Sequence, residues 1–504
     1  DGQAAVQYLE DRATTLAVGS LGRGGLGIYA LNLFGIREMD DIEAHAADIV
    51  MWEYPDPSRD GLQAIDGRFV RVDPAVDEST DTYSDTKTAL STDPYLGRVF
   101  GAPKIVKLPY PDEDGYRWCV VFANGYHSHN QTPVLYILDA YDGSLIKRVF
   151  TTKQEEADQS ASGSSCNDEF GCNGLSSPVL VDNNEDGIID YGYGGDLVGN
   201  LWKFDFSSGD IYGADGYVVA FHDSSDLDID GRPAPRPLIS VRDKQGKPQP
   251  ITTEPTVTSP CAGAGEGMMV LFGTGWLDPT ADSGSDTQSI YGIWDWQNFW
   301  RLHPDYSIDP MTRYYGEIGP VSGGGARQLS NLSNVLASAE AERIGLLEQS
   351  QQSFVGLNYF TALDTQVVAG HVSSGETKAI VDDPDDFTSY DQVVRTLSTH
   401  RINWFSPDML ADGSSQTSHL GWFFDLPFAD EQLASDPSVL DGVLYYSTSL
   451  WSESSCGIDG SNRMVMAHDS CSGGAAETIV FDLNGDEIMS SADTVALYNL
   501  DGSV

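Results

Sequence analysis

Short runs of apolar and aromatic residues, each ending in Asp or Gly, recur along the chain. They lie at positions 28–32, 135–140, 201–205 and 290–295, with weaker copies at 422–426 and 464–469. A second apolar run often precedes each copy, as at 15–18 and 268–272. Paired strands joined by Asp/Gly turns and repeated along a chain are typical of β-propellers. We therefore predict an all-β fold, a modified β-propeller of about seven blades with inserted loops.

One inserted segment has a helical pattern. Between positions 333 and 352, Leu336, Ala337, Ile344 and Leu347 recur near a period of 3.6 residues, although Glu340 falls on the same face. We predict a short helical insertion there. The acidic segment 380–390 is expected to be a solvated loop. With these insertions, we expect residues 1–504 to form a single propeller domain.

Charge limits the function classes. The chain has 504 residues, with 76 acidic and 28 basic side chains and a formal net charge of −48. Nucleic-acid binding requires Lys and Arg to neutralise phosphates, so this composition excludes it, and an anionic bilayer would repel the chain too. No apolar run is long enough to span a membrane. Divalent cations are the natural counter-ions of such a surface. The negative charge is consistent with a protein from a saline habitat and equally with an ordinary acidic secreted protein.

The chain has six cysteines, and two pairs enclose short polar segments. Such pairs predict local disulfides and an oxidising compartment. The bridges expected are Cys166–Cys172 and Cys456–Cys471. Cys119 lies in an apolar run and is expected to be a buried free thiol. The state of Cys261 stays open.

The segment 178–190 places oxygen-bearing side chains at alternate positions and follows them with Gly187. Calcium takes six to eight oxygen ligands, and a glycine permits the sharp turn that such a loop needs. The flanks are typical of strands rather than of EF-hand helices. The predicted Ca²⁺ ligands are Asp182, Asn184, Asp186, the carbonyl of Ile188, and Asp190. The alternative is an Asp/Asn-rich hairpin turn without a metal.

A second, weaker calcium loop is predicted at 482–493. Its ligands would be Asp482, Asn484, Asp486, Ile488 and Asp493. Their spacing fits the EF-hand, but Glu487 replaces the turn glycine, which lowers the expected affinity. The alternative is a capped turn that begins a helix at 491–500.

Three other motifs have simpler interpretations. The string Gly22-x-Gly24-x-x-Gly27 is followed by a predicted strand, not by the helix that a dinucleotide site needs, so a glycine-rich hairpin is preferred. His127-x-His129 has no further metal ligand close in sequence. The Asp226-x-Asp228-x-Asp230 run is not closed by an acid and is expected to be a surface turn.

The motifs in their order resemble the propeller domain of the PilY family of type IV pilus tip and biogenesis proteins. The matching segments are 18–31, 96–103, 121–126, 177–182, 195–205, 249–252, 271–275 and 289–295. The resemblance implies an extracellular protein at the pilus tip, exported through the periplasm, with calcium in the loop at 182–190. It also implies roles in pilus biogenesis, extension and retraction, and adhesion. The implied partners are minor pilins of the tip complex and a surface or host receptor.

Two other functions remain open. The segment 135–143 resembles the repeat of quinoprotein dehydrogenases, but those enzymes usually carry a vicinal disulfide and this sequence has no Cys-Cys pair. The second open function is that of an extracellular carbohydrate- or host-binding module. No Gly-x-Ser-x-Gly, His-Glu-x-x-His or P-loop motif is found in the sequence. We therefore expect a calcium-binding protein that is not an enzyme.

Overall fold

The computed structural model describes most of the strands that the sequence predicts. It covers residues 3–34, 49–56, 62–65, 68–71, 93–111, 114–128, 130–153, 173–207, 210–212, 217–264, 266–276, 287–296, 314–320, 327–329, 344–349, 351–355, 393–397, 400–405, 418–428, 431–450, 453–454, 457–458 and 462–474. These residues form two compact units: Asp1–Ile239 with Pro310–Tyr314, and Ser240–Asp309 with Tyr315–Val504. The described residues form 31 strands and two short 3₁₀ helices, Gly22–Gly24 and Asp210–Tyr212.

Unit 1 contains the first fifteen strands. They are β1 (Ala4–Leu9), β2 (Thr14–Ser20), β3 (Ile28–Asn32), β4 (Val50–Tyr54), β5 (Leu62–Ile65), β6 (Arg68–Arg71), β7 (Lys104–Pro109), β8 (Tyr116–Ala123), β9 (Val134–Asp139), β10 (Leu145–Phe150), β11 (Val179–Val181), β12 (Tyr191–Gly195), β13 (Asn200–Asp205), β14 (Phe221–Leu227) and β15 (Pro233–Arg236). Two antiparallel four-stranded sheets have the orders β1-β2-β3-β4 and β10-β9-β8-β7. Strands β11, β12 and β13 form a third antiparallel meander.

Strand β8 shows why residues 118–123 are continuously apolar. Alternate side chains such as Val120 and Phe122 pack with the β1–β4 sheet in one core cluster. The intervening side chains, such as Val121, pack with Trp202 and Phe204 of β13 in a second cluster. Because successive strand residues point to opposite faces, a strand covered on both sides must be apolar at every position. Stacked sheets of this kind are the arrangement that the repeat pattern predicts.

The remaining strands belong to unit 2, except that Ile239, the first residue of β16, is counted in unit 1. They are β16 (Ile239–Val241), β17 (Thr256–Thr258), β18 (Met268–Gly273), β19 (Ser289–Asp295), β20 (Glu317–Pro320), β21 (Arg327–Leu329), β22 (Ile344–Glu348), β23 (Gln351–Val355), β24 (Val393–Leu397), β25 (Ser418–Asp425), β26 (Glu431–Leu433), β27 (Ser438–Leu440), β28 (Val443–Leu450), β29 (Glu453–Ser454), β30 (Gly457–Ile458) and β31 (Asn462–Asp469). The main sheet has the order β17-β18-β19-β25-β22, and a second is built around β28.

The predicted helix at 333–352 is wrong where the structure describes it. Residues Ile344–Glu348 form β22, which runs parallel to β25 with Ile344 opposite Ser418, and Gln351 begins β23. The pairing partner lies more than seventy positions away, so it overrides the local helical period. Residues 333–343 and 380–390 lie outside the described residues. The all-β class is confirmed, whereas the blade count and the single domain stay predictions.

Candidate calcium-binding loop

The first predicted calcium loop joins β11 to β12. The register of this hairpin pairs Val181 with Tyr191, so residues 182–190 form the connection. The apolar run that ends at Val181 supplies the strand, and the chain leaves the sheet where the acidic positions begin. Sequence position and strand ends therefore agree on the bounds of the loop.

The acidic and amide side chains of the loop accept hydrogen bonds from its own backbone. The two carboxylate oxygens of Asp182 accept from the N–H groups of Asp186 (3.2 Å) and Gly187 (2.7 Å). Asn184 Oδ1 also accepts from Asp186 N–H at 3.0 Å. Asp186 Oδ1 accepts from Ile188 N–H at 2.8 Å. The alternating oxygens thus wind the backbone around themselves, as side-chain-to-backbone turns do.

Two residues of the loop have left-handed backbone angles. Gly187 has a φ of 85°, which glycine adopts without strain. Glu185 has a φ of 61°, an uncommon value for a residue with a side chain. The glycine therefore stands where the loop turns most sharply, as the sequence predicts.

Asp190 closes the loop and fastens it to the sheets. Its N–H donates to Val181 O at 2.9 Å, and its carbonyl accepts from Phe206 N–H at 2.8 Å. Its carboxylate accepts from Asn183 N–H at 2.9 Å. The preceding N–H, of Ile189, donates to the carbonyl of Lys107 in β7 at 3.0 Å. The loop is thus held by backbone bonds to β11, to β7 and to Phe206, the residue that follows β13.

Burial and neighbouring carboxylates disfavour the charge of Asp190. Burial raises the pKa of Asp190, and the nearby charges of Asp186 and Asp182 raise it further, against the hydrogen bond from Asn183. A raised pKa means that the charged carboxylate is disfavoured where it stands. A bound cation would offset that repulsion.

The donor set suits a hard cation. Three carboxylates, one amide oxygen and the carbonyl of Ile188 are the oxygen ligands that calcium takes, and no soft ligand is among them. Within the ranges that the structure describes, no three His, Cys, Asp or Glu side chains are gathered tightly enough to hold a metal ion. The ligands are therefore neighbours along one loop, while their oxygens are directed at backbone N–H groups. The residues fit Ca²⁺ by chemistry.

The remaining sequence motifs are described in part. The second calcium loop, with Asp482, Asn484, Asp486, Ile488 and Asp493, lies outside the described residues, and so does His129. The string Gly22-x-Gly24-x-x-Gly27 forms a 3₁₀ turn that leads into β3, as a hairpin does.

The Asp226–Asp230 run ends strand β14 and begins the turn that leads to β15. Asp228 Oδ1 accepts from the N–H groups of Asp230 (3.0 Å) and Arg232 (2.6 Å). Asp226 forms ion pairs with Lys153 and Arg236. These carboxylates are thus engaged with the protein itself, and the interpretation as a surface turn is confirmed.

The predicted bridge Cys456–Cys471 is wrong. Cys471 is bonded to Cys261, 210 positions earlier in the chain. Sequence proximity favoured the local partner, but the fold brings two distant turns together. Cys119 is a buried free thiol, as predicted. Cys166, Cys172 and Cys456 lie outside the described residues.

Sequence reasoning missed the residues that support the loop. Lys107 contributes only a backbone carbonyl, and its side chain pairs with Glu10 in the first hairpin. Phe206 contributes only its N–H group. Backbone contacts of this kind leave no signature in side-chain type, so no signal in the sequence identifies them.

The fold and the loop define an all-β protein of mainly antiparallel sheets with an acidic, oxygen-rich hairpin loop. A family model of the PilY1 beta-propeller domain matches residues 2–302. The chain therefore belongs to the PilY1 β-propeller family, which confirms the resemblance found in the sequence.

Individual relatives agree with this assignment. The type IV pilus biogenesis factor PilY1 of Pseudomonas aeruginosa (strain PAO1) is 27% identical over 484 residues, covering 93% of this chain and 30% of the relative. A PilY1 homolog of Xylella fastidiosa (strain Temecula1) is 28% identical over 298 residues, covering 58% of this chain and 16% of that protein. The chain thus spans less than a third of the length of these relatives.

A solved structure has the same fold. The crystal structure of the Pseudomonas aeruginosa PilY1 C-terminal domain matches with a TM-score of 0.55 and 23% identity, covering 97% of this chain and 73% of that one. Among the described residues, no helix has the length and apolar character needed to cross a membrane.

Proposed function

We propose that this chain is the propeller domain of a type IV pilus biogenesis factor. It would lie outside the cytoplasm, at the pilus tip or the outer cell surface, and bind minor pilins of the tip complex and a surface or host receptor. It would act by binding rather than by catalysis. Membership of the PilY1 family supports the pilus role, and the Cys261–Cys471 disulfide supports an oxidising compartment.

Calcium is the second part of the proposal. Asp182, Asn184, Asp186, Asp190 and the Ile188 carbonyl would hold one Ca²⁺ between β11 and β12. The observation that carries it is the alternation of oxygen-bearing side chains around one short loop, in which burial and the nearby charges of Asp186 and Asp182 raise the pKa of Asp190. An ion that binds only the folded loop stabilises it by mass action. A weaker second ion would bind at 482–493.

The experiment uses the source organism. Deleting the gene should abolish surface pili and pilus-dependent motility, which tests the pilus role alone. An Asp182→Asn, Asp190→Asn strain should assemble normal protein but lose the response of piliation or adhesion to calcium. The matched control is Glu185→Asn, which removes a charge from the same loop without removing a proposed ligand and keeps a residue that tolerates a left-handed φ.

Two outcomes count against these proposals separately. Normal pili after deletion of the gene would contradict the pilus role. Unchanged calcium dependence in the Asp182→Asn, Asp190→Asn strain would contradict the calcium role and leave the pilus role standing.

A further inference from the structure

Lys107, in strand β7, contacts two separate parts of unit 1. Its carbonyl accepts the N–H of Ile189, at the end of the calcium loop, at 3.0 Å. Its ammonium group forms an ion pair with Glu10, in the turn between β1 and β2. The main chain and the side chain of one residue therefore join the calcium loop to the turn of the first hairpin.

The loop is attached to β7 by a side chain as well as by the backbone. Ile189 is partly buried against the second core cluster, and so is Val106, the residue before Lys107. Because successive side chains of a strand point to opposite faces, Lys107 points to the other face of β7. A change in the position of the loop would therefore act on β7 at two adjacent residues.

Aromatic rings hold the side chain of Lys107 on that other face. Its Nζ lies 4.2 Å from the ring centre of Tyr116 and 5.1 Å from that of Trp118, both on β8. A cation near an aromatic face is attracted by the charge distribution of the ring. The ammonium group that meets Glu10 is therefore held by β8 and does not move freely as a surface lysine would.

The turn of the first hairpin has a second contact, which does not involve β7. The hydroxyl of Tyr141 donates a hydrogen bond to the carboxylate of Asp11, and the guanidinium of Arg12 lies 3.8 Å from the centre of the same ring. Tyr141 lies in the turn between β9 and β10. Because Glu10 and Asp11 are adjacent but contact different strands, single substitutions can separate the two attachments.

The calcium loop is a segment that can open locally. Residues 183–187 are exposed, and the nine residues 182–190 include four acidic side chains. Exposed segments with few buried contacts open at low free energy. A cation held by the loop would favour the closed state, because a ligand that binds one state shifts the population towards it. Opening near residue 189 would break the bond to the Lys107 carbonyl.

We propose that calcium bound at 182–190 strengthens the docking of the first hairpin on the β7–β10 sheet, through Lys107. In the closed state the bond from Ile189 fixes the backbone of β7, and Lys107 presents its ammonium group to Glu10. In the open state β7 loses that bond, and the ion pair weakens. Calcium occupancy would then be read at β1, where Val6 and Tyr8 are exposed. The inference rests on the proposed calcium function.

Hydrogen exchange of the full chain, followed by mass spectrometry, compares saturating calcium with chelator. Calcium should slow exchange in the first hairpin, residues 4–20, by about two- to fivefold, the effect of strengthening one partly exposed ion pair. The β14–β15 hairpin, residues 221–236, is the reference within the same unit and should change less. Equal slowing of both hairpins would indicate general stabilisation by the ion and would overturn the coupling.

Substitutions in the hairpin turn test the route. Glu10→Gln should abolish the calcium effect on residues 4–20 and, because coupling is reciprocal, should raise the Kd for calcium by about two- to fivefold. Lys107→Met, which keeps the carbonyl and removes the ammonium group, should behave in the same way. The matched control is Asp11→Asn, which removes the same charge from the adjacent residue and should leave the calcium effect in place.

Calorimetry with the second loop disabled by Asp482→Asn separates the possible failures. If the loop at 182–190 takes up no calcium, the calcium function and the coupling are both overturned. If it takes up calcium while exchange in residues 4–20 stays unchanged, the coupling alone is overturned. Equal effects of Glu10→Gln and Asp11→Asn would also exclude the route through Lys107.

Discussion

The indole of Trp52 lies against Gly143, at the turn between β9 and β10. Its N–H donates to the carbonyl of Ala140 at 2.9 Å, joining residues 88 positions apart. A Cβ atom on Gly143 would fall 2.6 Å from the ring, and the glycine has a φ of 68°. The turn begins at Asp139, whose carbonyl accepts the N–H of Gly143. Trp52 of the β1–β4 sheet thus packs against the turn that begins at Asp139 in the β7–β10 sheet.

Unit 2 repeats this relationship. The indole N–H of Trp422 donates to Ser470 O at 3.1 Å. A Cβ on Gly473 would lie 2.2 Å from the Trp422 ring, and this glycine also has a left-handed φ, of 66°. Its turn begins at Asp469, as the other begins at Asp139. The same contact, a tryptophan ring packed against a left-handed glycine in a turn that begins at an aspartate, therefore occurs in both units.

Gly143→Ala should lower the free energy of unfolding by about 2–4 kcal/mol, because it adds left-handed strain and a clash with the Trp52 ring. The control is Gly115→Ala in the same sheet, where φ is 75° and nothing lies within 4 Å of the added Cβ. That change should cost about 1–2 kcal/mol of strain alone. Urea unfolding followed by tryptophan fluorescence measures both, and equal losses would contradict the role of the ring contact.

Asp190→Asn should reduce calcium affinity by about tenfold or more, because it removes a charged ligand and keeps an oxygen for the N–H of Asn183. Glu185→Asn should change the affinity by less than about threefold, since Glu185 is not a proposed ligand. Isothermal titration calorimetry with the second loop disabled by Asp482→Asn separates the two sites. Unchanged uptake in Asp190→Asn would show that this loop is not the binding site.

Removing calcium with a chelator should lower the unfolding temperature of the wild-type chain. At a free calcium concentration of about one hundred times Kd, the ion would contribute about 2.7 kcal/mol. In chelator, Asp190→Asn should be at least as stable as wild type, because burial and the neighbouring charges disfavour the charged Asp190 and raise its pKa. Differential scanning calorimetry in both conditions would reveal this reversal. If Asp190→Asn is destabilised relative to wild type by the same amount with and without calcium, this expectation is refuted.

The Cys261–Cys471 disulfide should appear in peptide mapping under non-reducing conditions. It closes a loop of 210 positions, so replacing both cysteines by alanine should lower the free energy of unfolding by about 5 kcal/mol in the chain-entropy model. Cys119 is the control: burial raises the pKa of its thiol to about 12, so it should resist alkylation until the chain unfolds. A Cys456–Cys471 linked peptide would contradict the structure.

Acidification should destabilise unit 2 through His419. Burial lowers the pKa of this imidazole, and its Nδ1 accepts the N–H of Asn403 at 2.9 Å, which requires the neutral ring. The unfolded chain takes up a proton near pH 6.5, whereas the folded chain takes it up only at a lower pH. The contribution of neutral His419 to the free energy of unfolding is therefore fully present above about pH 6.5, and it is lost as the pH falls through the pKa of the folded state. His419→Asn should flatten this part of the stability–pH curve. An unchanged slope would rule the contribution out.

Local chemistry allowed the bounds and the turn of the loop at 182–190 and the buried strands to be predicted. Gly187 turns the backbone where the spacing requires it, and Val120 and Val121 face opposite cores because successive side chains of the apolar run 118–123 alternate between the two faces of β8. These features depend on neighbours in sequence. They could therefore be derived without the fold.

Long-range contacts could not be predicted in the same way. Ile344 pairs with Ser418, and Cys471 pairs with Cys261, through proximity that only the complete fold creates. The helical period near Ile344 and the nearby Cys456 were the wrong local signals. Lys107 and Glu10 likewise form an ion pair although they are 97 positions apart in sequence. Non-local packing decides such cases.

The position of Lys107 has a mechanical consequence for unit 1. Its side chain holds Glu10 of the first hairpin and lies 4.2 Å from the ring centre of Tyr116, while its carbonyl holds Ile189 of the calcium loop. Three sheets of unit 1 therefore meet at one residue. Tension applied to the first hairpin would reach the loop through a single strand, without passing through a flexible linker. A cation that tightens the loop would therefore stiffen this connection between the first hairpin and the loop.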